Sequence, residues 1–188
     1  MSPQVRKNAV FLYNRVINDN CERTLIMANG LFPEIDEDAI FLSRSDPNEG
    51  LGTFSKHGFE LENLTWPSVE HYFQAMKFTD PGVQEKIRAA AHPKLARKLG
   101  RSRFKRLRSD WAQVKEVVMT RGIYIKCRTH NDIAEQLMAT APNKLIENSQ
   151  YDYFWGCGRD RRGNNAFGKV LMNVRTKLLD EAGVAKDQ

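Results

Sequence analysis

The chain has 188 residues, of which 41% are hydrophobic and 28% charged, a balance that suits one soluble globular domain with its own core and excludes global disorder. No apolar run approaches the ~20 residues that a bilayer-spanning helix needs, so no membrane association is expected. The formal charge of +6 and a pI near 9.3 favour anionic or phosphorylated partners.

Residues 1–39 read as a lead-in packed on or flanking the domain, residues 40–182 as the domain itself, and residues 183–188 as a frayed C-terminus. The first residues lack the apolar core of a secretory signal. Residues 10–17 suggest a short amphipathic segment and residues 24–27 a short strand, and Asn29-Gly30 is a turn signal. Glu34, Asp36, Glu37 and Asp38 form an acidic patch in an otherwise basic chain. Cys21, Cys127 and Cys157 are odd in number and lack paired metal spacing, which points to reduced thiols in the cytoplasm, or the nucleus of a eukaryote. Cys157 lies between two glycines, a position open to solvent, and reads as a structural or incidental thiol.

AIFLS predicts a strand, SDPNEGLGTF a glycine-rich loop in which Gly50 and Gly52 permit close backbone approach, and FELENLTW an alternating strand. That strand enters WPSVEHYFQAMKF, where Pro67 and Ser68 start a helix with Ser68 as its N-cap. Val69, Tyr72, Phe73 and Met76 fall on one apolar face, and Glu70, Gln74 and Lys77 on a separate polar stripe. Glu70 sits in the first turn, where the helix dipole favours a carboxylate. From spacing alone, a decorative carboxylate at a helix end is the simpler reading.

Asp80-Pro81 predicts the cap of a second helix, broken at His92-Pro93, and residues 94–99 a third, stopped by Gly100. Ser109 or Asp110 starts a long helix, with Gly122 as a point of interruption or bending. Asn131 caps another helix, residues 144–147 form a short strand, and Asn165 or its neighbour caps a last helix built on Phe167, Val170, Leu171, Val174 and Leu178. Two basic clusters stand out. One holds Arg97, Lys98, Arg101, Arg103, Lys105, Arg106 and Arg108, the other Arg159, Arg161 and Arg162. The loop of residues 149–165 concentrates Asp152, aromatics, arginines and glycines, as functional loops do.

Three stretches, WPSVEHYFQAMKF, GRSRFKRLRSDWAQVKEVVM and ATAPNKLIENSQYDYFWGCGRDRRGNNAFGKVLMNVR, resemble the NADAR, or YbiA-like, family in this order across residues 40–180. The resemblance implies a single compact α+β domain, mostly helical with a small β-sheet, that hydrolyses N-glycosidic bonds. With Cys and His scattered along the chain, no metal site and no cofactor are expected. Two activities are implied: removal of ADP-ribose from guanine in DNA, reversing toxin-like ADP-ribosyltransferases, and cleavage of early phosphorylated riboflavin-pathway intermediates. Both break a bond from ribose C1′ to nitrogen. By position, the family's functional residues fall on Glu70, Trp111, Asp152 and Trp155. Many members read Ser-Asn-Phe where this chain has Gly52, Thr53 and Phe54, so Thr53 keeps a hydroxyl and loses an amide.

Breaking a C1′–N bond gives the ribose oxocarbenium character, and paired carboxylates suit that chemistry. Glu70 is expected to activate water or stabilise the cation, and Asp152 to hold a ribose hydroxyl or assist proton transfer. Trp111 and Trp155 can stack on a base, with Tyr72 or Phe154 lining the same cleft, although each is equally a core residue by composition. Gln74, Thr53, Phe54 and Gly156 complete the expected substrate-binding set. Arg101, Arg106 and Arg108 are candidates for gripping a diphosphate, with Lys77 and the residues 159–162 cluster behind them. Asn164-Asn165 can face a phosphate or simply cap. His71 reads as structural. The expected partners are ADP-ribosylated guanine in DNA or a phosphorylated ribosylamine, with nucleic-acid contact through the basic clusters and a DNA ADP-ribosyltransferase toxin as counterpart. A binding module for ADP-ribose or nucleic acid is the reading of another class. Retention of both Glu70 and Asp152 argues against it.

Overall fold

The computed structural model describes residues 37–102 and 106–184. The elements expected at residues 10–17 and 24–27, together with Cys21, Glu34, Asp36, Arg103 and Lys105, lie outside the described residues. In chain order the elements are β1 (Ile40–Leu42), β2 (Phe59–Leu61), β3 (Leu64–Trp66), α1 (Val69–Ala75), α2 (Pro81–Arg88), α3 (Pro93–Gly100), α4 (Trp111–Thr129), α5 (Asn131–Met138), β4 (Leu145–Glu147) and α6 (Ala166–Val184). The result is a single α+β domain, mostly helical, with its strands in two small pairs. β1 lies parallel to β4, with Leu42 opposite Glu147. β2 and β3 form an antiparallel hairpin that sets Phe59 opposite Trp66.

The hairpin corrects the expectation of one strand through FELENLTW. Glu62 and Asn63 both adopt left-handed backbone, φ 57° and 60°, at the two central positions of the turn. That geometry matches the right-handed twist of a hairpin and reverses the chain within two residues.

Ser68 caps α1 as expected, its hydroxyl accepting from the His71 N–H at 3.4 Å. All seven residues of α1 are buried, the polar stripe as well as the apolar one. Neighbours enclose the helix on every side. Tyr72 meets Phe59 and Trp66 edge-on, Phe73 meets Trp111 and Trp155, and Gly122 of α4 lies against Val69 and Tyr72. Gly100 ends α3 where a Cβ would collide with the Gln74 amide, so α3 can approach α1 closely. Polar groups buried this way need partners. His71 finds them in the Ser68 hydroxyl at 2.8 Å and the Ala90 carbonyl at 3.1 Å, which makes it structural.

Other expectations shift by small amounts. Asp80 caps α2 through the Gly82 and Val83 N–H groups. α3 starts at Pro93, with the His92 ring accepting from the Leu95 N–H, and includes Gly100. α4 runs without interruption through Gly122, a glycine required by the close approach of α1. Asn131 begins α5 without capping it, the N-cap position belonging to His130. Asn165 (φ 47°) uses its side chain to tie β4 to α6, accepting from the Glu147 N–H and donating to the Leu145 carbonyl. Its side chain is therefore committed to the sheet, and with Asn164 the residue lines a cavity beside the β1–β4 pair. Cys157 is buried, and its thiol donates to the Gly158 carbonyl at 3.4 Å, so the exposure expected from its flanking glycines is corrected.

The glycine-rich loop is fixed from beneath. Lys126 of α4, fully buried, donates its ammonium to the carbonyls of Gly50 and Gly52 at 2.7 and 2.9 Å and to the Ser55 hydroxyl at 3.4 Å. Burial lowers its pKa to about 8. A Cβ at Gly50 would meet the Gln136 side chain and one at Gly52 the carbonyls of Ser43, Arg44 and Glu49, so both glycines serve close approach within the protein.

Candidate active site

α1 presents the Glu70 carboxylate from its first turn into a ring of donors. Arg97 of α3 forks onto it, Nε to Oε1 at 2.7 Å and Nη2 to Oε2 at 3.0 Å. The Thr53 hydroxyl donates to Oε2 at 2.7 Å and the Gln74 amide to Oε1 at 2.7 Å. Arg44 stands 3.9 Å from Oε2. Burial alone would raise the pKa of a carboxyl group with no exposed surface. The Arg97 hydrogen bonds and charge, then Arg44 and Thr53, outweigh burial and hold Glu70 at about 2. It is an ionised carboxylate at any physiological pH.

Asp152 stands on the other side of Arg44. Its Oδ2 accepts from Arg44 Nη2 at 3.1 Å, while Oδ1 accepts from the N–H groups of Phe154 and Trp155 and so shapes the late loop. Its side chain is 26% exposed, against 0% for Glu70. The structure thus brings the two expected carboxylates together through one guanidinium. Arg44 is fixed in turn by Trp155 and Phe167, whose ring centroids lie 5.8 and 6.0 Å from its central carbon, and by the Glu147 carboxylate, which accepts its backbone N–H at 3.3 Å. Glu147 also accepts from the Ser149 N–H, and burial raises its pKa.

Arg97 faces two ways. Besides holding Glu70, it donates from Nη1 to the Ser45 hydroxyl at 2.6 Å and lies 4.2 Å over the Phe54 ring. It lines a cleft of about 990 Å³ together with Ser45, Phe54, Lys98 and Arg101, with His92 and Lys94 at the same wall. Glu70 does not reach the cleft, because the Arg97 guanidinium stands between them.

The remaining expected residues divide. Phe54 and Arg101 lie at the cleft. Trp111, partly exposed, packs on Phe73 at 5.1 Å, and the Lys77 ammonium lies over both rings, its pKa lowered by burial to about 8. Thr53 and Gln74 are buried donors to Glu70, placed behind it and out of a ligand's reach. Trp155 is buried edge-on between Phe73 and Phe154 and backs Arg44. Tyr72 belongs to the core beside Trp66, which corrects its expected place in the cleft. Gly156 is buried against Glu147 and the Asp152 carbonyl, so it admits protein, not ligand. Arg108 is occupied by Asp110 in a bidentate pair at 2.6 and 2.8 Å and is absent from the cleft wall. Arg106 is exposed, and Arg161 lines a separate 340 Å³ cavity beyond the opposite face of the β1–β4 pair.

Arg44 belongs to no motif in the sequence, and Arg97 stands there only as one member of a basic run. An arginine between an apolar strand and a glycine-rich loop is a faint signal, and nothing in the run sets Arg97 apart. Among the described residues, no group of three or more His, Cys, Asp or Glu could hold a metal ion, and no helix is long and apolar enough to cross a membrane.

Comparison with known proteins identifies the family and its fold. The profile of the NADAR domain matches residues 32–179. The N-glycosidase YbiA of Escherichia coli (strain K12) is 40% identical over 141 residues, 75% of this chain and 88% of that protein. Its NMR structure superposes with a TM-score of 0.71 over 79% of this chain and 90% of the other, at 38% identity. An N-glycosidase of Nostoc punctiforme is 44% identical over 131 residues, 68% of this chain and 84% of its own. A protein of Vibrio vulnificus named as a riboflavin biosynthesis protein is 37% identical over 149 residues, 79% of this chain and 41% of that longer protein.

Proposed function

The chain belongs to the NADAR domain family, and from that premise we propose that this hydrolase of N-glycosyl bonds removes ADP-ribose from ADP-ribosylated guanine in DNA. The observation that carries the proposal is an ionised carboxylate, Glu70, joined through Arg97 to a cleft whose wall is cationic.

In the reaction the C1′–N bond breaks with its electron pair going to the guanine nitrogen, and the ribose becomes an oxocarbenium ion. Glu70, already ionised in a dry setting, opposes that positive charge without first having to lose a proton. A depressed pKa makes it unsuited to be the general acid. Water adds to C1′, one of its protons leaving to a carboxylate, and the departing nitrogen takes up a proton. Asp152 holds a ribose hydroxyl in this reading, which its partial exposure supports. Trp111 offers an aromatic edge for the base.

Arg97, Lys98, Arg101 and Lys94 exceed what one phosphate monoester needs, and favour a diphosphate with a nucleic-acid backbone beside it. A DNA ADP-ribosyltransferase is then the counterpart whose product this enzyme removes. A DNA substrate puts the enzyme in the cytoplasm, or the nucleus of a eukaryote. The name of the Vibrio relative favours a second reading, hydrolysis of early phosphorylated riboflavin intermediates.

A side-by-side assay decides between them, using an ADP-ribosylated oligonucleotide and the riboflavin intermediates, with Glu70→Ala as control. Release of ADP-ribose with guanine restored is the expected outcome. Turnover of the intermediates alone would move the substrate to the second reading. Inertness on both, with ADP-ribose bound, would make the domain a binding module.

A further inference from the structure

We propose that Arg97 is a specificity-determining gate, closing Glu70 in the unliganded enzyme and releasing it when a phosphate of the substrate takes the guanidinium. The inference rests on Glu70 as the carboxylate that acts on the N-glycosidic bond.

The count of hydrogen bonds carries it. A carboxylate offers about four acceptor positions. Four donors fill them on Glu70: Arg97 Nε at 2.7 Å, Arg97 Nη2 at 3.0 Å, the Thr53 hydroxyl at 2.7 Å and the Gln74 amide at 2.7 Å. Nothing is left to take a proton from water or to meet a ribose hydroxyl, and the side chain has no exposed surface. One donor must leave before Glu70 can touch a substrate.

Thr53 cannot leave easily. Its N–H is bound by the Arg44 carbonyl, its own carbonyl accepts the Glu70 N–H at 3.0 Å, and Lys126 holds the carbonyl before it. Gln74 is one turn along the same helix and packed against Gly100. Arg97 is different, because its long side chain already lines the cleft and its third nitrogen rests on the Ser45 hydroxyl. A phosphate presents the same fork geometry to arginine as a carboxylate does. Lys98 and Arg101, adjoining Arg97 on the cleft wall, complete an anion site.

The charged and titratable groups facing Glu70 are Arg97 from α3, Arg44 from the loop after β1, and His71 and Lys77 from the α1 side, with Asp152 and Glu147 around Arg44. When Arg97 turns to a phosphate, Glu70 keeps Arg44, Thr53 and Gln74. It stays charged, gains open lone pairs and becomes a stronger base. A riboside without phosphate leaves the gate shut.

The test compares wild type, Arg97→Met and Arg97→Lys on an ADP-ribosylated oligonucleotide and on one carrying ribosyl-guanine without the diphosphate. Wild type should prefer the phosphorylated substrate by at least about 100-fold. Arg97→Met should lose rate on that substrate, gain about tenfold on the phosphate-free one, and show an acid limb of its pH profile moved upward. Arg97→Lys should fall between them. Equal losses on both substrates, or a loss on the phosphorylated one with no gain on the other, would overturn the gate.

If wild type turns over neither substrate, the substrate reading fails, and a measurement on the wild-type protein still decides the gate. The Glu70 carboxyl carbon, assigned by ¹³C NMR through Glu70→Gln, is titrated with pyrophosphate and with chloride at matched ionic strength. Pyrophosphate alone should raise its titration midpoint by a unit or more. No change at saturating pyrophosphate would contradict the gate.

Discussion

Glu70 and Asp152 share one arginine, yet their surroundings are opposite. Glu70 lies at the buried start of a helix, with every lone pair filled and two guanidinium groups within 4 Å. Asp152 lies on a loop, a quarter exposed, with one guanidinium and two backbone N–H groups. The first site holds a charge where water cannot weaken it, and the second can meet a substrate without rearrangement. A low effective dielectric makes the buried charge the stronger electrostatic tool, and the exposed one the more adaptable contact.

The largest expected effect comes from removing what joins them. Arg44→Met leaves Glu70, Asp152 and Glu147 short of a counter-charge, and the loss of one partner of a buried pair typically costs about 3–5 kcal/mol, readable in urea unfolding. A smaller change would mean that Arg97 alone neutralises the site. Next comes acid. The Glu70 pKa is depressed from 4.5 to about 2, so its stabilising contribution is complete above about 4.5 and is lost as pH falls through about 2. That contribution is on the order of 3 kcal/mol. Urea midpoints of wild type should fall over this window, whereas those of Glu70→Gln should lack that component. A parallel decline in both would place the acid sensitivity elsewhere.

Asp152→Asn should cut turnover by about 10- to 100-fold and lower stability by less than Arg44→Met, since the amide oxygen can still accept the two backbone N–H groups while the pair with Arg44 is lost. If the variant unfolds more readily than Arg44→Met, Asp152 is the structural member of the pair. The smallest effect concerns Lys77, which burial brings to about 8. Its ammonium beside the aromatic edge is lost as pH rises through that value, so activity should fall there, and Lys77→Met should remove that limb of the profile. An unchanged limb would assign it to another group, Lys126 being the other lysine lowered to about 8.

The same contrast explains what the sequence revealed. Helix starts were legible because their signals are local: Ser68, Asp80 and Pro81 act on atoms within four residues. The family resemblance picked out Glu70 and Asp152, and the structure joins them. The joining arginine was not legible, because Arg44 is 26 residues from one carboxylate and 108 from the other and belongs to no periodic pattern. Tyr72 and Gln74 were misplaced for a related reason. Helical spacing separates faces, but only tertiary packing says that α1 is enclosed on all of them. Thr53 illustrates the same point, since the hydroxyl read as a substrate contact is spent on Glu70. The two-residue turn at Glu62 and Asn63 was hidden because neither residue is the glycine that usually marks such a turn.

The most direct measurement of Glu70's role is single-turnover hydrolysis by Glu70→Gln alongside its equilibrium binding of ADP-ribose. The substitution keeps the side-chain shape and removes the charge. Hydrolysis of the N-glycosidic bond should fall by about 1,000-fold or more while binding stays within a few-fold of wild type. Full activity in this variant would remove Glu70 from the chemistry and leave it as the buried anchor of two arginines.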